Sequence, residues 1–178
     1  MKGMTTTVMM AIVTISLSAQ EIRNLRFDVG YGIAPQLTGQ GRAMRGFHVI
    51  AAARVSGVEL SLHYSGRKSG AHEYGFAHEE NASTVSVQAG ITARTSHARF
   101  TISGGLGTFR SRTRVQGYFT YAAVPFDRTE VVTRFAVPVD IRMCWALSRG
   151  YGFGFAVFGA YVKDYSYAGY QIFLRVEV

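Results

Sequence analysis

Hydrophobic and polar residues alternate with a period of two along most of this chain, most regularly at its end, YQIFLRVEV. Every second residue from Tyr170 to Val178 is apolar, and the residues between them are polar except Phe173. Successive side chains of a β-strand point to opposite faces, so this period predicts a strand with one face in an apolar medium and the other in a polar one. The identity of the apolar medium decides the class of protein.

The same period predicts eight strands in all, and no segment has a convincing helical period. Each segment has about the length with which a tilted strand crosses a thin apolar layer. The predicted segments are residues 24–33, 47–56, 58–65, 85–94, 98–109, 134–145, 151–161 and 170–178.

Short and long connections alternate between these segments. With an even number of strands, all short connections lie at the end of the protein that carries both termini. This plan predicts an all-β fold, an eight-stranded antiparallel up-and-down transmembrane barrel with short periplasmic turns and long extracellular loops. The short connections are 56–57, 95–96 and 147–150, and the long ones are 34–46, 66–83, 110–130 and 163–168.

A soluble lipocalin-like carrier, the alternative barrel, has the same strand count with the opposite facing. In this chain the polar face also carries many Gly and Ala residues, which suit a narrow interior, so we predict that the apolar face points outward into lipid. Aromatic residues collect at the segment ends, as in two interfacial girdles. The predicted girdle residues are Tyr31, Phe47, Tyr64, Tyr161 and Tyr170 at the loop end, and Phe100, Trp145 and Tyr151 at the turn end.

Composition narrows the class of protein further. The 178 residues carry 19 Lys and Arg against 11 Asp and Glu, a net charge of +8, and nearly half of them are apolar, which argues against disorder. The basic residues occur singly within alternating segments and form no basic helix or zinc framework, so nucleic acid is not a predicted partner. Cys144 is the single cysteine and cannot form an internal disulfide.

The N-terminus has the order of a secretory signal peptide. Lys2 is followed by an apolar stretch from Val8 to Leu17 and then by the small residues Ser18 and Ala19. The stretch is too short to span a bilayer as a helix, and a buried N-terminal strand or helix is the alternative. We predict a signal peptide at residues 1–19 and a mature barrel domain at 20–178, integral to the outer membrane of a Gram-negative bacterium.

In layout, the whole mature chain resembles the small eight-stranded outer-membrane barrels of the OmpA, OmpX and Ail type. The most specific element of the resemblance is the C-terminal strand, because the insertion signal of that class has apolar residues at alternate positions and usually a terminal aromatic. Tyr170, Ile172, Leu174 and Val176 match it, whereas Val178 departs from it. The resemblance implies outer-membrane lipids, lipopolysaccharide and the outer-membrane assembly machinery as partners.

Side chains fill the interior of an eight-stranded barrel, so a general pore is not predicted. The predicted role is structural, adhesive or surface-binding. Its candidate surface is a basic patch of Arg110, Arg112 and Arg114 in the third long loop. The expected ligands of this patch are lipopolysaccharide phosphates or an extracellular acidic ligand, because Arg makes bidentate contacts with phosphate. Solvated charges on extended strands are the plainer explanation of this patch.

A lipid A-modifying enzyme, a deacylase or an acyltransferase, is the alternative function. His63 and Ser65 in LHYSG are similar to the His-x-Ser of the lipid A deacylases, but they lie on the third strand and the motif that surrounds the pair in that family is missing. Both point into the barrel, and a turn at 56–57 sets His48 opposite Ser65. A hydrogen-bonded polar plug is the more ordinary role of this mouth cluster. No cofactor is predicted, and HEYGFAHEE in the second long loop lacks the close two-His spacing of zinc proteases, so no metal site is predicted.

Strand register predicts interior ion pairs. The turn at 56–57 places one pair directly opposite on the inward face, and matching Tyr170 to the loop end of the first strand places two more across the closure of the barrel. The predicted pairs are Arg54 with Glu59, Arg26 with Glu177, and Asp28 with Arg175.

Overall fold

The computed structural model describes residues 23–37, 43–55, 57–73, 76–119 and 124–178. The predicted signal peptide lies outside these ranges. The described residues form eight strands, one for each predicted segment. The strands are β1 (Arg23–Pro35), β2 (Ala43–Val55), β3 (Val58–Glu73), β4 (Phe76–Arg94), β5 (Ala98–Phe119), β6 (Val124–Ser148), β7 (Tyr151–Val162) and β8 (Tyr167–Glu177).

Each strand pairs antiparallel with the next one along the chain, and β8 pairs with β1, so the sheet closes into a barrel. The predicted eight-stranded antiparallel fold is confirmed. At the closure, Arg26 lies opposite Glu177 and Asp28 lies opposite Arg175. Where all eight strands are paired, the sheet has no free edge, so the backbone hydrogen bonds of every strand are satisfied without water.

Apolar side chains point outward and polar side chains point inward. Ile91 and Leu174 are 70% and 63% exposed, whereas Asp28 and Arg142 are each 1% exposed. The eight predicted girdle aromatics are all on the outside, with exposed fractions between 38% and 70%. This facing is the reverse of a soluble carrier with an apolar cavity, so the lipocalin-like alternative is wrong.

Strands β3 to β6 are longer than predicted at the loop end. β3 continues to Glu73 and β4 begins at Phe76, while β5 continues to Phe119 and β6 begins at Val124. Most of the two predicted long loops, 66–83 and 110–130, is therefore strand. Beyond the apolar belt both faces of a sheet meet water, so the hydropathy contrast disappears while the ladder of backbone hydrogen bonds continues.

These four strands form a sheet that projects beyond the rest of the barrel. Its lower limits are the last pairs with the neighbouring short strands, Arg45 with Lys68 on the β2 side and Ala136 with Val162 on the β7 side. We call the parts of β3 to β6 beyond these pairs the projecting sheet.

The opposite end of the barrel carries the short connections. Gly57, between β2 and β3, has a φ of 88°, and Gly150, between β6 and β7, has a φ of 86°. Glycine adopts this left-handed conformation without the steric cost that a Cβ would bring, so both turns stay tight. We call this end the turn end.

The lumen is filled in layers. An apolar cluster that includes Met44, Phe109 and Val162 closes the loop end. Neutral polar side chains lie below it, and buried charges follow toward the turn end. Within the described part of the chain, the cavities beside these middle layers are only about 20 Å³ each, which is space for one water molecule and not for a channel.

None of the described residues forms a helix that is long and apolar enough to cross a membrane.

Candidate functional site

The predicted basic residues Arg110, Arg112 and Arg114 lie on β5 and not in a loop, which corrects their predicted placement. All three side chains are exposed on the outward face, because they continue the outward positions of β5 beyond its apolar part. The strand fixes their spacing and direction, so the patch is a surface of the sheet with a defined register.

Two further cations on neighbouring strands extend this surface. Arg45 of β2 pairs with Lys68 of β3, Lys68 pairs with Asn81 of β4, and Asn81 pairs with Arg112 of β5. Directly paired positions on one face lie about 5 Å apart at Cβ, so these four outward residues form a continuous line. We call Arg45, Lys68, Asn81 and Arg112 the basic row.

The basic row lies directly above the aromatic edge of the apolar belt. The next outward row down pairs Phe47 with Gly66, Gly66 with Ser83, and Ser83 with Arg110. The Phe47 and Tyr64 rings lie 5.6 Å apart. Residues of both rows line a shallow open groove of about 550 Å³. The surface therefore combines three cations of one row with an apolar edge, which suits an amphipathic ligand with anionic groups.

Sequence reasoning found Arg110 and Arg112 but missed Arg45 and Lys68. These residues are far apart in the chain, and only the pairing of β2 with β3 and of β3 with β4 brings them to one surface. A signal was present, because Arg45 lies two residues before Phe47 and Lys68 lies four residues after Tyr64, so both occupy outward positions just beyond a girdle residue.

Arg114 differs from the other two arginines of the patch because an acidic partner neutralises it. Its Nη2 donates to Oδ2 of Asp127 on β6 at 2.5 Å, and its Nε donates to Oδ1 at 3.0 Å. The hydrogen bonds from Arg114 hold the pKa of the Asp127 carboxyl below its usual value. In the described part of the chain, no carboxylate forms an ion pair with Arg110 or Arg112, so they remain available to a ligand.

The pKa of Asp127 gives a prediction for the projecting sheet. Since the folded pKa is lower than the unfolded one, the pair with Arg114 contributes stability above the unfolded pKa of about 3.9, and this contribution is lost as the pH falls through the folded pKa. We expect an NMR titration of Asp127 to have its midpoint below about pH 3.9, and Arg114→Gln to move the midpoint upward toward that value. An unchanged midpoint in the variant would mean that Arg114 does not bind Asp127 in solution.

The predicted mouth cluster lies inside the barrel. His48 pairs with Ser65 in the sheet, and all three residues of the cluster, His48, His63 and Ser65, are buried. His63 does not bind Ser65 but lies 2.8 Å from Ser61 through its Nε2, while His48 lies 3.2 Å from Gln171 through its Nδ1.

Ser61 and His63 have the spacing of a nucleophile and a base, but they are 4% and 2% exposed and face the lumen. The Nδ1 atom of His63 has no hydrogen-bond partner among the described residues, so no third group orients the ring. A membrane lipid outside the wall does not reach these atoms. The contacts that His48, Ser61 and His63 do make are with other buried polar groups, as in the polar filling of a lumen.

Two of the three predicted ion pairs are exchanged for others. Arg54 lies opposite Glu59 in the sheet, but it is exposed, and the Glu59 carboxylate binds Arg26 and Arg142 instead. Arg26 reaches Glu59 because Ala52, its partner on the intervening strand, is small. The physical reason is solvation: Arg54 at the rim is hydrated, whereas the two buried guanidinium groups need a carboxylate.

Glu177 likewise does not bind Arg26, which lies opposite it. Arg99 of β5, across the lumen, donates to Glu177 at 2.5 Å. The third predicted pair forms, with Arg175 Nε 2.6 Å from Asp28 Oδ1 and its Nη2 2.7 Å from Oδ2. This two-point contact joins β1 to β8 at the seam that closes the barrel.

Arg142 is the centre of the buried charges, and sequence reasoning did not select it. Its side chain lies 3.2 Å from Asp28, 2.5 Å from Glu59 and 2.7 Å from Asp140. Ser103 donates a further hydrogen bond to Asp140. The only sequence signal was the presence of Asp140 and Arg142 at inward positions of β6, which does not reveal contacts across the lumen.

No group of three or more His, Cys, Asp or Glu residues suited to a metal ion occurs among the described residues. The side chains of His72 and Glu73 lie outside those the structure describes. Glu80, from the same acidic stretch, points inward and accepts hydrogen bonds from Gln36 at 3.0 Å and Ser111 at 2.9 Å.

Neither protein-family models nor curated protein sequences match this chain. Solved structures do. The crystal structure of Ail, the attachment invasion locus protein of Yersinia pestis, aligns with a TM-score of 0.62 at 9% identity over 86% of this chain and 97% of Ail. Neisserial surface protein A, NspA, aligns with a TM-score of 0.57 at 14% identity over 85% of this chain and 96% of NspA.

A second crystal structure of the Yersinia pestis Ail protein contains the heparin analogue sucrose octasulfate. It aligns with a TM-score of 0.58 at 12% identity over 89% of this chain and 99% of that one. Identities this low establish the architecture alone. The chain thus has the closed eight-stranded fold of the small outer-membrane barrels.

Proposed function

We propose that this chain is an integral outer-membrane barrel of a Gram-negative bacterium with a surface-binding role. Its basic row binds phosphate or sulfate groups of a polyanion at the cell surface, in the first place those of lipopolysaccharide. In this proposal the projecting sheet faces the outside of the cell and the turn end faces the periplasm.

The apolar outer wall supports the membrane location. Leucine, valine, isoleucine and phenylalanine side chains cover the outside, and aromatic residues flank them at both ends. Burying such a surface in lipid costs nothing, whereas leaving it in water costs about 25 cal/mol for each Å². A contiguous patch of this extent does not occur on monomeric soluble proteins.

The observation that carries the binding role is the position of the basic row. Arg45 and Lys68 are directly paired on one outward face, and Arg112 follows beyond Asn81 in the same row, one residue row above the aromatic edge that includes Phe47. In the proposed orientation this is the height of the phosphate groups of lipopolysaccharide. Arg binds phosphate and sulfate bidentately, so this spacing supports contact with more than one anionic group.

Ail supports the chemistry of the ligand by analogy, since it has the same fold and was crystallised with a polysulfated heparin analogue. Phosphate and sulfate groups share a tetrahedral arrangement of anionic oxygens. We therefore include an external sulfated polyanion as a second source of the same ligand chemistry.

Assembly is expected to depend on β8. Its outward residues Tyr170, Ile172, Leu174 and Val176 are all exposed on the barrel wall. We propose that the outer-membrane assembly machinery reads this alternation, after removal of the signal peptide at residues 1–19.

Binding to purified protein tests the proposed role. We expect the barrel in maltoside micelles to bind lipopolysaccharide and sucrose octasulfate saturably in isothermal titration calorimetry. The double variant Lys68→Gln and Arg112→Gln removes two charge-assisted contacts of about 1.5 to 3 kcal/mol each, so the affinity should fall at least about tenfold. Affinity should also fall with added salt, since the charges are exposed.

The matched control is Arg54→Gln, which removes an exposed arginine at the opposite end of the barrel. It should leave both affinities unchanged. The control removes one charge and the double variant two, so a loss of binding free energy in the control of half that in the double variant would show that the ligands respond to net charge and not to the basic row. If the barrel binds sucrose octasulfate but does not bind lipopolysaccharide, the anionic groups that the basic row recognises belong to an external polyanion.

A further inference from the structure

A second charged site lies inside the barrel at the turn end. A cavity of about 330 Å³ opens there between the β4–β5 turn and the β6–β7 turn. Arg94, Arg99 and Arg149 line its sides, and Cys144 and Arg175 line its floor. Glu177 is the one carboxylate among the lining residues that the structure describes.

Arg94 and Arg99 are directly opposite each other on the inward face of β4 and β5. Like charges at directly paired positions destabilise a sheet, so this pair works against the stability of the barrel. Glu177 offsets one of the two, with its Oε1 atom 2.5 Å from Arg99 Nη1. Among the described residues, no carboxylate forms an ion pair with Arg94, which is exposed to the lumen.

Two more arginines add to this charge. Arg149 lines the same cavity from the β6–β7 turn, and Arg54 lines an adjoining pocket that Arg94 and Arg99 share. The carboxylate that lines this adjoining pocket is Glu59, and it already forms ion pairs with Arg26 and Arg142. The turn end of the lumen thus has three exposed cations without an acidic partner in the part of the chain that the structure describes, namely Arg54, Arg94 and Arg149.

We propose that this cavity is a binding site for a phosphate-bearing anion, with Arg94 and Arg149 as its principal ligands. A phosphate monoester carries up to two charges and three acceptor oxygens, which suits two guanidinium groups that line one cavity, Arg94 from the end of β4 and Arg149 from the β6–β7 turn. A single carboxylate neutralises only one guanidinium group, as Glu177 neutralises Arg99. Ser148 lines the same cavity and adds a hydroxyl donor.

The position of the site favours a soluble ligand over a membrane lipid. Strand residues that line the cavity, such as Arg99, Cys144 and Arg175, occupy inward positions, so the cavity opens to water at the end of the lumen and not through the wall. Phosphorylated solutes and phospholipid headgroups carry the same group, and the experiment separates them. The site is at the opposite end from the basic row and does not depend on surface binding.

The test uses residues 20–178 folded in maltoside micelles and titrated with inorganic pyrophosphate in a calorimeter. We expect saturable binding that weakens at least about tenfold in the double variant Arg94→Gln and Arg149→Gln. The matched control, Arg128→Gln with Arg134→Gln, removes two exposed arginines of β6 that lie outside the basic row and should leave this affinity unchanged. The reference protein, the test variant and the control all carry Lys68→Gln and Arg112→Gln, so that the basic row does not contribute to the binding of pyrophosphate. Both residues of the test variant are exposed, so folding is retained.

A stability measurement separates a binding role from a structural one. Arg94→Gln removes one member of a like-charged pair, so it should not lower the urea midpoint of the ligand-free barrel. A lower midpoint would overturn the proposal, because it would give Arg94 a structural role. Absence of saturable binding, equal weakening in the control, or tighter binding of citrate than of pyrophosphate would also overturn it.

Nanodiscs identify the source of the phosphate. We expect the affinity for pyrophosphate to be the same in phosphatidylcholine discs with and without phosphatidylglycerol, as a site in the aqueous lumen requires. Competition by phosphatidylglycerol would overturn the assignment to a soluble anion and assign the site to a lipid headgroup.

Discussion

Arg142→Met should lower the free energy of unfolding of the barrel by about 3 to 5 kcal/mol, the cost of removing one partner from a buried ion pair. Arg142 is 1% exposed and lies within 3.2 Å of Asp28, 2.5 Å of Glu59 and 2.7 Å of Asp140. Methionine keeps much of the volume but leaves three buried carboxylates with two buried guanidinium groups. The loss therefore comes from charge and not from a cavity.

Trp145, the single tryptophan, reports unfolding because it faces outward near the turn end. Urea unfolding in micelles, followed by its fluorescence, measures the effect of Arg142→Met. The control is Arg54→Met, which removes an exposed arginine opposite Glu59 and should change the stability by less than about 0.5 kcal/mol. If Arg54→Met lowers the stability as much as Arg142→Met does, then Arg54 also binds Glu59 in solution, and the pairing of Glu59 described here is wrong.

The second large effect is expected at the seam of the barrel. Arg175→Glu replaces a two-point contact of 2.6 and 2.7 Å to Asp28 with two adjacent buried carboxylates. The change removes an attraction and adds a repulsion where water does not screen either, so we expect a loss above about 3 kcal/mol and impaired folding into micelles. Folding is measured by the heat-dependent shift of the barrel on a gel.

Adding Asp28→Arg to Arg175→Glu restores an opposite-charge pair across the seam. The recovery should be partial for two reasons. The ion pair of Asp28 with Arg142 at 3.2 Å is lost, and the new arginine at position 28 lies near the positive charge of Arg142. Arg175→Gln serves as the comparison that removes the charge without reversing it. If the double variant folds no better than the worse single one, residues 28 and 175 are not neighbours in solution.

Ion pairs between neighbouring strands could be predicted from the sequence, whereas ion pairs across the lumen could not. Asp28 and Arg175 were found because register across a seam follows from strand order and from one matched position, Ile33 with Tyr170. Arg142 with Glu59, and Arg99 with Glu177, join strands that are not neighbours. The curvature of the closed sheet and the lengths of the side chains determine those pairs, and neither is visible in a pattern along the chain.

The ends of the strands show the same limit. Lipid on one face imposes the period of two, so the pattern marks only the part of each strand that has one apolar and one polar face. In the projecting sheet neither face packs against lipid, and residues such as Arg114 carry no hydropathy signal of strand. Backbone hydrogen bonding extends these strands, and it does not depend on side-chain type.

The alternation of apolar and polar residues by itself determined the number of strands, their order and their facing, because each follows from one period and an even count. The closing register needed one further assumption from the sequence, the match of the girdle residue Tyr170 with the loop end of β1. Only the tertiary structure decided which charges meet across the lumen, where the projecting sheet ends, and that Arg45 and Lys68 join Arg112. Those relations depend on the distance between non-neighbouring positions in space. A one-dimensional pattern does not contain that distance, which is set by the tilt and closure of the sheet.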